Sequence, residues 1–272
     1  MKSIFGYILT FIAGATLVAS CSVVNNALKS GDAEFAYDQA LILYENEKWE
    51  KAASLFDACR RIYERTPRGD SLSFYNARCR FKSHDYDEAI TMLDEFRRTY
   101  SRSPFIEDAE GMYALCHYYM APPPERDQAV TSQAIIAITE FMSRYPESDK
   151  IDEFESMLTD LSERLMEKSY MNAYTYYKIG RYKSAIVAFK NAMKQHPNSP
   201  YTEEMMYYTT VSAYRLAENS VESKQLDRYL AMLDSYYSFL AEYPESKQIK
   251  ELERMAKNAR NFIDKHRTTD TE

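Results

Sequence analysis

Glycine is scarce in this chain, at six among 272 residues, and Trp49 is the single tryptophan. There is no Gly-rich phosphate-cradling loop and no G-x-S-x-G nucleophile elbow, so the usual scaffolds for phosphoryl and acyl transfer are missing. Alternating β-branched runs are also absent, which leaves no strand pattern to read. Histidine occurs four times, as His84, His117, His196 and His266. His84 has Asp87 and Glu88 three and four residues on, and His266 has Asp270, but neither has a second histidine or a cysteine to complete a metal site. Cys116 and His117 are adjacent, and neighbours on a helix point in different directions. The sequence therefore points to no metal, no cofactor and no enzyme. It reads His84 as a turn residue.

Basic charge is in deficit as well. The 34 Lys and Arg stand against 41 Asp and Glu, a net charge of −7. That balance argues against nucleic acid, which needs a basic face, and against electrostatic docking on anionic lipid. Cysteine is limited to Cys21, Cys59, Cys79 and Cys116, with no C-x-x-C pair. Beyond Cys21 the number is odd, so no closed disulfide framework follows. Cys59 and Cys79 could bridge adjacent helices, or all three could be small buried side chains on helix faces.

What is present begins at the N-terminus. Lys2 precedes an apolar stretch from Ile4 to Val18 that ends in Val18-Ala19-Ser20-Cys21. The stretch has the length of a signal-peptide core and is short of the ~20 residues of a membrane span. The small residues before Cys21 resemble the lipobox of bacterial lipoproteins. That resemblance implies removal of residues 1–20 and acylation of Cys21. One acyl chain anchors only marginally, so two or more are needed. Loss of residues 1–20 removes Lys2 and leaves a mature charge of −7 − 1 = −8. The segment Ser22–Asp32 reads as a lipidated flexible tether with Cys21, that is, residues 21–32.

From Ala33 the chain has helical periodicity almost to its end, and the pattern repeats. The clearest unit is Tyr176, Lys178, Gly180, Tyr182, Ala185, Phe189, Ala192 and Pro197, with Ala173 ahead of it. It resembles the tetratricopeptide (TPR) pattern, in which small residues allow close helix approach and glycine serves the turn. Ala40, Trp49, Ala52 and Phe56 form a first copy; Ala77, Tyr86, Ala89 and Leu93 a second; Ala134, Ile138, Phe141 and Pro146 a third; Met232, Tyr236, Phe239 and Pro244 a fifth. Aligned positions 52, 89, 134, 185 and 232 lie 37, 45, 51 and 47 apart, longer than the TPR period of about 34. The reading is an all-α, right-handed superhelix of about five divergent TPR hairpins over residues 33–268. A capping helix from about Gln248 to His266 closes it, and residues 269–272 form a polar tail. Pro122-Pro123-Pro124 marks a loop in the third repeat.

A corner motif recurs at the ends of second helices: Tyr145-Pro146-Glu147-Ser148, His196-Pro197-Asn198-Ser199 and Tyr243-Pro244-Glu245-Ser246, with a degenerate copy at Tyr100-Ser101-Arg102-Ser103-Pro104. Proline ends one helix and serine is expected to cap the next. Lipobox, short tether, five long-period TPR units and Tyr-Pro-x-Ser corners together resemble the BamD family of outer-membrane β-barrel assembly lipoproteins, over essentially the whole mature chain. The resemblance implies a scaffold lipid-anchored at the outer membrane and facing the periplasm. It implies two partners, the POTRA region of a BamA-like barrel protein and the C-terminal segments of unfolded outer-membrane proteins. Ser22 after the lipidated cysteine is compatible with outer-membrane sorting.

First helices of TPR hairpins line a concave face. With Ala40, Ala77 and Ala173 as equivalent positions, a candidate peptide groove comprises Tyr37, Leu41, Tyr44, Phe74, Arg78, Phe81, Tyr170, Tyr174 and Tyr177. Aromatic walls with an arginine suit a peptide carrying apolar side chains and a terminal carboxylate. The competing reading makes these aromatics inter-repeat core. The functional alternatives are another periplasmic TPR lipoprotein that scaffolds cell-envelope enzymes, and a SusD-like glycan binder. The second is disfavoured because Trp49, the one tryptophan, occupies a packing position and inter-repeat insertions are short.

Overall fold

The computed structural model describes residues 24–64 and 66–269, with side chains through His266; Cys21, residues 1–20 and residues 270–272 lie outside them. Small residues decide where the helices pair. Ala40, Ala52, Ala77, Ala89, Ala134, Ala173 and Ala185 are each 0–1 % exposed. With no side chain beyond Cβ, they let two backbones close, and the larger Phe56, Leu93, Phe141 and Phe189 fill the space beside them. The result is α1 (24–30), α2 (Ala33–Glu45), α3 (Trp49–Tyr63), α4 (Gly69–Lys82), α5 (Tyr86–Thr99), α6 (Ile106–Met120), α7 (Ala129–Arg144), α8 (Ile151–Lys178), α9 (Tyr182–Gln195), α10 (Thr202–Glu218), α11 (Glu222–Glu242) and α12 (Ile249–Thr269). The described residues contain no strand. Helices α2 to α11 make five TPR-like hairpins and α12 closes the series, so the fold class read from the repeats holds.

The long intervals have specific causes. The 28 residues of α8 exceed every other helix and stretch the interval between positions 134 and 185. Residues 121–128, with the three prolines, stretch the one before it. The 21-residue α11 accounts for the last.

Contacts divide the chain into two units, the first running through Ala121 plus Ala129–Leu158, the second comprising Pro122–Gln128 and Thr159–Glu272. In the first unit, Ala40, Leu43, Ala52, Phe56 and Cys59 form one core cluster. Phe74, Leu93, Phe96 and Cys116 form another. Phe141 meets Phe154 edge-on at 4.9 Å. In the second unit, Ala173, Ala185, Phe189 and Met205 cluster between α8, α9 and α10. Met232, Tyr236 and Phe239 pack with Leu252, Met255 and Ala259 of α12.

Three of the five hairpin turns share one geometry. In the first, second and fourth, the residue past the helix end is left-handed: Glu47 (φ 57°), His84 (φ 61°) and Gly180 (φ 72°). Its N–H bonds three residues back, and the next N–H bonds five residues back, as in Lys48 to Leu43 at 2.9 Å and Arg181 to Tyr176 at 2.9 Å. This is a Schellman closure, which satisfies the last helical carbonyls. His84 is therefore a turn residue, and its Nδ1 shares a 2.7 Å hydrogen bond with the Tyr86 hydroxyl.

The corners correct the expected serine caps in detail. Ser103, Ser148, Ser199 and Ser246 each sit three residues ahead of the first helical residue. Each N–H donates to the carbonyl of Tyr100, Tyr145, His196 or Tyr243, at 2.9–3.1 Å. Each hydroxyl accepts from the N–H two residues on, at 3.2–3.4 Å. The serine thus closes the turn that leads into the helix. A fifth copy uses threonine: Thr66 N–H donates to Tyr63 O at 2.9 Å and Thr66 Oγ1 accepts from Arg68 N at 3.3 Å.

The tether is also corrected. Residues 24–30 form α1, whose Ala27 is 2 % exposed against the first hairpin. Val24 and Ala27 are one helical turn apart, too little apolar surface to signal a helix until the hairpin offers a face. Asp32 caps α2, its Oδ1 accepting from Glu34 N at 3.0 Å and Phe35 N at 3.1 Å. Cys59, Cys79 and Cys116 are free and buried, so the reading as small core side chains stands and the Cys59–Cys79 bridge does not. Burial raises their thiols, Cys59 to about 11 and the other two to about 12.

Candidate functional site

Six of the proposed groove residues fall in the first unit. Two of them are core. Tyr37 is 7 % exposed, set edge-on against Phe56 at 5.9 Å. Phe74 is 2 % exposed, stacked on Phe105 at 4.6 Å. Neither can meet a peptide, because the long repeats place extra aromatics (Tyr63, Phe105) over them. Leu41, Tyr44, Arg78 and Phe81 are half-buried.

Tyr44 and Arg78 are brought together across α2 and α4, the guanidinium 5.9 Å from the ring centre. Trp49 and Tyr75 flank the same ring edge-on at 5.2 and 5.0 Å. Burial raises the Tyr44 hydroxyl pKa, partly opposed by Arg78. No ion pair holds Arg78 among the described residues. Its neighbour Arg80, by contrast, is bound to Asp57 at 2.6 Å. An unneutralised cation beside an aromatic wall can accept a carboxylate in two parallel hydrogen bonds. Phe81 lies further along α4, near Tyr86 at 5.9 Å and Tyr119 at 6.2 Å.

In the second unit Tyr170, Tyr174 and Tyr177 run along α8 as a ladder, with ring spacings of 5.7 and 5.8 Å. The structure adds Tyr201, stacked on Tyr170 at 5.0 Å, and Tyr208, at 4.8 Å from Tyr174 and 4.9 Å from Tyr177. Tyr207 donates to Glu251 Oε2 at 2.8 Å. The pKa values of Tyr170, Tyr207 and Tyr208 are raised, first by burial and then by their bonds to Glu204, Glu251 and Tyr174. The ladder presents hydroxyls and half-exposed rings. The fifth repeat shows its pattern in the sequence on its second helix alone, which leaves Tyr201, Tyr207 and Tyr208 unmarked there. The pair Tyr207-Tyr208, early in a periodic segment after a corner, was the available signal.

Among the described residues no helix is long and apolar enough to cross a membrane. Residues 29–172 match the family YfiO, described as outer membrane lipoprotein. Residues 170–199 match a tetratricopeptide repeat family. The outer membrane protein assembly factor BamD of Caulobacter vibrioides is 27 % identical over 112 residues. That alignment spans 41 % of this chain and 36 % of the relative. Two solved structures each cover 84 % of this chain and 98 % of their own. One is the TPR2AB-domain:pHSP90-complex of yeast Sti1, at 10 % identity and TM-score 0.40. The other is a thermophilic TPR protein of Thermus thermophilus, at 16 % identity and TM-score 0.32. At those scores neither likeness carries weight.

Proposed function

The chain belongs to the YfiO outer membrane lipoprotein family, and from that membership we propose that it is a non-catalytic scaffold of outer-membrane protein assembly. It is anchored through acyl chains on Cys21 and faces the periplasm. Its partners are the POTRA region of a BamA-like barrel protein and the C-terminal segments of unfolded outer-membrane proteins. The observation that carries the reading is the family match across 144 residues (29 to 172), which takes in three of the five first helices whole and most of the fourth. The name of the Caulobacter relative points the same way.

Within that reading, Arg78 receives the terminal carboxylate of the substrate peptide while Tyr44 and Phe81 flank its aromatic end. A hydrogen bond to a charged group contributes about 1.5–3 kcal/mol. Arg78→Glu should therefore weaken binding of a barrel protein's C-terminal peptide at least about tenfold, and amidation of the peptide should weaken wild-type binding similarly. Unchanged affinity in both cases removes Arg78 from the site. For the wider reading, the tagged chain is purified in mild detergent. Recovery of a POTRA-bearing barrel protein supports it. Recovery of a peptidoglycan enzyme instead points to an envelope-enzyme scaffold.

A further inference from the structure

The fourth hairpin breaks the charge pattern of an otherwise acidic chain. Between Lys168 and Thr202, 35 residues hold six cations (Lys168, Lys178, Arg181, Lys183, Lys190 and Lys194) and no Asp or Glu. Three of them form a strip. On α9, Lys183, Val187, Lys190 and Lys194 recur at intervals of four, three and four, which places them on one helical face. All four are exposed, Val187 at 53 %. The opposite face holds Ala185, Phe189 and Ala192, buried. The strip is about 16 Å long at 1.5 Å per residue.

Helix stability does not explain it. Lys194 in the last turn suits the dipole, but Lys183 lies in the first turn, where a cation is disfavoured. The first turns of α3, α5, α6 and α10 carry acids instead. Nor are the strip's cations neutralised. No ion pair holds Lys183, Lys190 or Lys194 among the described residues, whereas Arg60 reaches Glu95 at 2.5 Å. Beside the strip lies a pocket of 310 Å³ between α9, α10 and α11, lined by Lys190, Met193, Met206, Thr209, Ala231 and Asp234 among others. Met193, Met206 and Ala231 give it an apolar wall, and Asp234 is the one acid that lines it.

We propose that this face of α9 with its pocket is a docking surface for an acidic protein segment whose carboxylates meet Lys183, Lys190 and Lys194 and whose one apolar side chain enters the pocket. Charge complementarity sets the register and speeds encounter, and the buried apolar anchor supplies the affinity. Anionic lipid fits less well. Three lysines give only a weak attraction at a membrane surface, against repulsion from a chain of net charge −7. A flat headgroup layer also leaves the pocket unfilled. The proposal does not depend on the POTRA reading.

The test places a photo-crosslinking benzoylphenylalanine at Val187 of the full-length lipoprotein in its own cell envelope and sequences the crosslinked peptide. The expected product is one protein adduct whose linked segment carries Asp or Glu around an apolar residue. In the combined Lys183→Glu, Lys190→Glu and Lys194→Glu variant it should fall at least about tenfold. All three positions are exposed, so the variant should keep its helical circular dichroism. No adduct, an adduct to phospholipid or to a second copy of this chain, a linked segment without carboxylates, or an adduct undiminished in the triple variant would each overturn the proposal. If POTRA protein co-purifies but Val187 yields nothing, the functional reading survives and this surface does not. If an acidic segment is linked at Val187 but no POTRA protein co-purifies, the surface survives and the functional reading does not.

Discussion

Glu47 and His84 hold left-handed backbone conformations without being glycine, which costs roughly 1–2 kcal/mol per residue. The turn over-determines them, because the Schellman bonds need that geometry whatever the side chain. Glu47→Gly should raise stability by about 1 kcal/mol in urea unfolding, since the strain is released and the exposed Glu47 side chain gives up little. Gly180→Ala should lower it by a similar amount: nothing lies within 4 Å of the added Cβ, so only the φ of 72° opposes it. Equal stabilities in both pairs would show that the turns relax. His117 is 9 % exposed, and burial, then Arg97, lowers its pKa. The unfolded imidazole takes up a proton near the ordinary value of about 6.5 while the folded one does not. Stability from His117 is thus complete above that pH and is lost on acidification below it. His117→Gln should flatten the decline below about pH 6.5 in a pH series of unfolding midpoints.

At the scale of elements, the corners and one buried charge hold successive hairpins together. Tyr100 donates to the Glu64 carbonyl at 3.0 Å and Ser103 to Asp70 Oδ2 at 2.9 Å, so the second corner is bonded to the first. Glu110 on α6 is 6 % exposed and pairs with Arg97 of α5 at 3.7 Å and with Arg144 of α7. Arg97 is also seated 4.4 Å from the Tyr113 ring. Removing Glu110 takes a partner from Arg97, whose side chain is 17 % exposed, and from the more exposed Arg144; a buried pair broken outright costs about 3–5 kcal/mol. Because Asp94 and Glu140 also lie within 4.0 Å of Arg97, the lower end applies. Glu110→Ala should cost about 3 kcal/mol, measured by denaturant titration. A loss below about 1 kcal/mol would mean that water reaches the site.

For the molecule as a whole, the anchor proposed at Cys21 is separable in chemistry from the folded body though nearly contiguous with it in sequence. The helical body begins at residue 24, so at most about 10 Å of extended chain separates it from Cys21. Cys21→Ser should yield a protein found in the soluble periplasmic fraction, with unchanged helical circular dichroism and unchanged binding of its protein partner in solution. Weaker function in the cell is expected, because tethering supplies effective concentration. A Cys21→Ser protein that fails to fold would place the anchor inside the structural core.

The sequence by itself determined the helical class, the five hairpins with a closing helix, the small residues where helices approach and the family. Each of these rests on periodicity or on a residue type with one mechanical use, such as alanine at a close approach or glycine past a helix end. Tertiary structure alone decided which aromatics are wall and which are core. Tyr37 and Tyr44 share a helix and a spacing, yet one is covered by Phe56 and Tyr63 and the other keeps a half-exposed face beside Arg78. Helical periodicity reports that a side chain leaves the solvent face; it does not say how deeply the neighbouring hairpin covers it. The same limit hid α1, the threonine corner at Thr66 and the tyrosines of α10, each of which needs a packed partner before its pattern means anything. Whether a lysine is neutralised is likewise settled by what other elements bring beside it. That is why the acid-free stretch at 168–202 became a surface only when α9 showed which of its cations share a face.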